Sequence, residues 1–122
     1  MSQTPSSQTG DKAENRLEEQ SALLEQLFNN APLPIQHCSI EGQILRANHA
    51  SEEVFGYTCE EMKGRFVDDL FAAPETYDEA VKNTRDVLEG KTVFFEGRRR
   101  RKSGEPIYVK GTAFPIVLKG VQ

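Results

Sequence analysis

The segment Glu41–Gly64 reads EGQILRANHASEEVFGYTCEEMKG. Its first two residues form an acid-glycine turn, with Ile35 to Ile40 in front and Gln43 to Ala47 behind as the two arms of a hairpin. Asn48 follows at once and suits an N-cap. A short helix is therefore predicted over Ala50 to Phe55, stopped by Gly56, which tolerates the left-handed backbone of a helix end. Thr58-Cys59-Glu60-Glu61 then has the capping-box form, in which the Thr hydroxyl takes an orphan amide and the Glu reaches back. It predicts a second helical turn ending near Gly64. A hairpin followed by two short helices is not the start of a repeated βαβ unit.

Downstream, Pro74 is a favoured first helix position. The stretch to Glu89 places Tyr77, Ala80, Val81, Thr84, Val87 and Leu88 at helical spacing before Gly90, so its apolar face should lie on a sheet. Lys91 to Lys102, a turn at Ser103-Gly104 and Glu105 to Leu118 read as a second, longer hairpin, with Ile107, Val109, Gly111 and Ala113 on one face. Strand, strand, three helices, strand, strand is an α+β order with antiparallel hairpins.

Upstream, Pro32 and Pro34 end a helix predicted over Asp11 to Asn30. In it Ala13, Leu17, Gln20, Leu24 and Leu27 fall at alternating four- and three-residue steps, the a/d seam of a coiled coil. Leu17, Leu24 and Leu27 are its candidate dimer residues. Residues 1–10 carry no large apolar side chain beyond Met1 and are expected to form a disordered leader. The chain thus divides into a leader (1–10), a linker helix (11–30) and one folded body (31–122).

The 122 residues suffice for one core. Formal charge is −4, yet Glu96 to Lys102 hold five basic groups and one acid, so the remainder stands at −8. Five charges on a hairpin of an acidic chain make a poor footprint for duplex DNA, and the plain reading is an edge strand protected by charge; no nucleic-acid partner is expected. Mean hydropathy is −0.58. No apolar run has membrane-spanning length and no signal peptide is visible, so a cytoplasmic location without membrane contact is expected.

Catalytic chemistry finds no constellation. His37 and Cys38 are strand neighbours and point to opposite faces, and no CxxC or HxxxH spacing exists, so no metal site is expected. Cys59 sits near a helix start without a histidine close in sequence. The acid pairs Glu52-Glu53, Glu60-Glu61 and Asp68-Asp69 suit helix starts, where they complement the dipole. No phosphate-binding glycine loop is present. The chain is expected not to be an enzyme.

Taken together, LLEQLFNNAPLPI, EGQILRANHA, FGYTCEEMKG and FFEGRRRRKSGEPIYV, with landmarks Gly42, Asn48, Gly56, Tyr57, Gly64 and Gly104, resemble a PAS domain over Leu23 to Leu118. The resemblance implies a five-stranded antiparallel sheet with helices on one face around a small pocket, in bacterial sensors. Ser39 and Glu41 stand where the family often has Asp. The family's fifth strand lies between the first and fourth, and here it is expected to be missing or incomplete, leaving sheet edges prone to pair. Flavin photosensors of the family carry a cysteine in the segment matching Gly64-Arg65-Phe66-Val67, which has none. Haem-binding relatives use a histidine on the long helix, which also has none; Tyr77 is the one conceivable oxygen ligand there. By the resemblance, neither a flavin adduct nor histidine-ligated haem is expected, and the cofactor stays unassigned. A small-molecule pocket would be lined by His37, Tyr77, Val81, Thr84, Phe94 and Val109.

The resemblance implies a sensory module coupling ligand or partner binding to an output such as a histidine kinase or diguanylate cyclase. The alternative is a constitutive dimerisation module without ligand. Either would form a homodimer, through the N-terminal helix or a sheet edge.

Overall fold

A computed structural model describes residues 5–116, with side chains from residue 12 on. Helix α1 runs Pro5–Asn29. It begins six residues before the expected start at Asp11, so part of the expected leader is helical. Proline is tolerated in a first turn, and once a helix exists each added residue costs little beyond its own ordering.

The first hairpin pairs β1 (Gln36–Cys38) with β2 (Ile44–Ala47). Its register shifts between His37↔Arg46 and Cys38↔Ile44, which leaves Leu45 as the extra residue of a bulge. Gly42 takes φ +86°, and its amide donates to the Ser39 carbonyl at 3.0 Å. The turn is therefore one residue longer than the expected Glu41-Gly42 pair.

Helix α2 is His49–Phe55 and α3 is Cys59–Met62. Asn48 caps α2 by accepting from the Ser51 amide at 3.1 Å, and Gly56 ends it with φ +83°, its amide donating to the Glu52 carbonyl. The capping box of α3 is complete: the Glu61 amide donates to the Thr58 hydroxyl at 3.1 Å and the Thr58 amide to the Glu61 carboxylate at 2.9 Å. A further short helix, α4 (Val67–Phe71), was not expected. It has no side-chain cap, so it lacks the signal that marks the other two. Pro74–Thr76 form a 3-10 turn before α5 (Tyr77–Leu88), so the long helix starts three residues later than Pro74.

The second hairpin pairs β3 (Val93–Arg100) with β4 (Pro106–Ala113), from Val93↔Ala113 to Arg100↔Pro106. Among the described residues the strands form two separate two-stranded sheets, β1-β2 and β3-β4. The expectation about a fifth strand falls on residues outside those described. The core is Ile44, Ala47, Phe55, Met62, Leu70 and Phe71, with Cys38, Val54, Tyr57, Val67, Ile107 and Val109 packed against it. Phe55 and Phe71 stack at 4.2 Å, and Tyr57 meets Phe71 edge-on at 6.2 Å.

Candidate functional site

The polar groups of the body converge where α4, α5 and β3 meet. Strand alternation sets which side chains of β3 face that junction: Val93, Phe95, Gly97 and Arg99 turn inward, while Phe94, Glu96, Arg98 and Arg100 turn out. Arg99 is 8 % exposed. The expected two-residue turn at Ser103-Gly104 would have paired Lys102 with Glu105. Instead the Arg101 amide donates to the Glu105 carbonyl at 2.9 Å, and Lys102 to Gly104 form a three-residue loop, Gly104 having φ +90°. This one-residue change of register exchanges the two faces of β3.

Two corrections follow from that exchange. Phe94, a candidate pocket residue, is 80 % exposed, and Phe95 takes the inward place. The run Arg98 to Lys102 is also not wholly a solvated edge, because Arg99 is buried. Its guanidinium lies 5.4 Å from the Phe95 ring centre, and Nη1 donates to the Arg98 carbonyl at 2.9 Å. No carboxylate oxygen lies within 4.0 Å of it among the described residues. Phe95 in turn sits over Gly111, its cross-strand partner.

Asp68 is the acid of this junction. Its carboxylate accepts from the Thr84 hydroxyl at 3.1 Å, joining α4 to α5. Burial pushes the Asp68 carboxyl above its ordinary value, and the Thr84 bond and the Arg99 charge pull it partly back. Burial also pushes the Cys38 thiol up to about 11, with the Asp68 charge adding to it. Asp69 ties the rim together: its carboxylate accepts from the Tyr77 hydroxyl at 2.9 Å, and its carbonyl accepts from Arg100 at 2.8 Å. The Thr76 hydroxyl donates to the Arg98 carbonyl at 3.1 Å. One short helix is thus linked to both the start of α5 and the end of β3.

Of the six pocket candidates, Tyr77, Val81 and Thr84 come together along an open depression of about 400 Å³ between α4 and α5, beside Phe66, Asp68 and Leu88. Val109 lies elsewhere, packed on the core. His37 is exposed; its neighbours Gln36 and Cys38 occupy the inward face of β1. The landmarks Gly42, Gly56, Gly64 and Gly104 all have positive φ, and Asn48 is fully buried. Leu17, Leu24 and Leu27 on α1 are between 61 and 66 % exposed.

Arg99 and Asp68 were missed as interior residues because each sat inside a charged run. The available signal was the alternation of β3, which required the loop length to be right. Among the described residues no three His, Cys, Asp or Glu side chains cluster as a metal site requires, and no helix is long and apolar enough to cross a membrane.

Comparison with known proteins agrees with this geometry. The profile of a family described as PAS domain matches residues 16–122. The C4-dicarboxylate transport sensor protein DctS of Rhodobacter capsulatus is 28 % identical over 110 residues, which is 88 % of this chain and 17 % of that protein. The PAS domain of an HTR-like protein from Haloarcula marismortui superposes with a TM-score of 0.72 at 27 % identity, covering 90 % of each chain. A domain of a sensory box sensor histidine kinase/response regulator from Geobacter sulfurreducens shares the fold, with a TM-score of 0.67 at 23 % identity over 80 % of this chain and 85 % of that one.

Proposed function

Because the chain belongs to the PAS domain family, we propose that it is the sensory module of a signal-transduction protein, coupling a bound small molecule to an output domain such as a histidine kinase or a diguanylate cyclase. The observation that carries this reading is Arg99: a buried cation without a carboxylate partner among the described residues, beside the half-buried Asp68. A buried charge is costly unless paired, so an anionic group on a ligand has a reason to bind there. Binding would draw on Arg99 of β3 and displace Asp68, whose bond to Thr84 sets the packing of α5. The sensor role of DctS supports the reading, although the chain spans only a sixth of that protein. The module acts by coupling and carries no catalytic step.

Native mass spectrometry with an absorbance spectrum of the protein as purified is the direct test. A retained small molecule, or a melting temperature raised by a C4-dicarboxylate in the parent and not in Arg99→Met, supports the sensor, since selective binding to the folded state must stabilise it. An empty protein with no stabilising anion overturns it. The second reading, a constitutive docking module, is favoured by the exposed leucines of α1.

A further inference from the structure

We infer that α1 pairs with α1 of a second copy of this chain as a parallel, in-register coiled coil, with Gln20 of each copy meeting Gln20 of the other. Every side chain from Lys12 to Leu27 is exposed. Among the described residues, α1 is tied to the body near its C-terminal end, where Arg46 pairs with Glu25 and stacks 4.2 Å over the Phe28 ring. The seam Leu17, Leu24 and Leu27 is therefore left uncovered, at 64, 66 and 61 % exposure.

The spacing of that seam identifies its occupant. Steps of four and three residues keep a narrow stripe in line only against another helix of the same period, whereas a sheet face or a globular core needs a wider one. An anionic lipid surface is disfavoured, because the flanks carry Glu14, Glu18, Glu19 and Glu25 against Lys12 and Arg16. A second copy supplies the same period by necessity.

Gln20 sets the direction. In a parallel pair in register, each core layer joins identical positions, so the two Gln20 amides face one another and each both donates and accepts. In an antiparallel pair, a positions face d positions, which sets Gln20 against Leu24 and leaves two amides against hydrocarbon. The polar core position favours the parallel arrangement and places both bodies at the same end of the pair. The pairing stands whether or not the body holds a small molecule, so its failure and that of the sensor reading are separately visible.

Light scattering on the purified chain should give twice 13.7 kDa. Leu17→Glu with Leu24→Glu should give the monomer mass with unchanged near-ultraviolet circular dichroism of the body. Direction is tested by charge: Gln20→Glu alone and Gln20→Lys alone should each dimerise at least tenfold more weakly than the parent. An equimolar mixture should restore a heterodimer, read by native mass spectrometry. A monomeric parent, or a dimer that survives the double leucine substitution, overturns the pairing. Failure of the mixture to select the heterodimer overturns the parallel register.

Discussion

Asn48 shows how much one side chain can carry. It is fully buried; its carbonyl oxygen accepts from the Ile35 amide at 2.9 Å and the Ser51 amide at 3.1 Å, and its amide donates to the Leu33 carbonyl at 2.9 Å. It thus caps α2 and holds the segment that leads into β1. Asn48→Ala strands those partners without solvent and should destabilise the chain by about 2–4 kcal/mol in chemical denaturation. The cap was legible in sequence; the two bonds to residues 13 and 15 positions earlier were not. Asp68 carries an opposite lesson. Folding raises its pKa above the ordinary 3.8, so its contribution to stability is fully present below that pH and is lost as pH rises through the folded-state value. Asp68→Asn, which still accepts from Thr84, should therefore be more stable than the parent at neutral pH. The difference should shrink towards about pH 3 in thermal melts. An unchanged gap across that range would show that burial is not what raises this carboxyl.

Among the elements, the second hairpin decides most. Its strands, its glycine turn and the inward face of β4 follow from alternation and turn chemistry, and all three hold in the structure. The loop holds one residue more than expected, and with that change Phe95 and Arg99 exchange places with Phe94 and Arg98. Gly111 makes room for the result: a Cβ there would stand 2.8 Å from the Phe95 ring. Gly111→Val should displace the ring and cost about 1–3 kcal/mol, with a change in the near-ultraviolet aromatic signal. Retention of both would mean that the ring is not confined. Helix α4 was invisible for a different reason. Five residues without a side-chain cap carry almost no local signature, and the helix exists because Leu70 and Phe71 are buried in the core.

For the molecule as a whole, α1 and the body are nearly independent. The Glu25–Arg46 pair is exposed and contributes little, and the leucine seam touches nothing in the body. Removing residues 1–23 should leave the melting temperature within about 3 °C of the parent while halving the solution mass. A large drop would mean that α1 stabilises the body directly. The amino-acid order alone marked the periods of α1 and β4, the caps at Asn48 and Thr58, the glycine turns and the family's order of elements, because each is a matter of neighbours within a few residues. Four features depended on the folded chain: the inward turn of Arg99, the Asp68–Thr84 bond across 16 positions, the existence of α4, and the dispersal of His37, Phe94 and Val109 away from Tyr77, Val81 and Thr84. Each depends on register and burial, and these are settled by contacts between segments that local propensity does not encode.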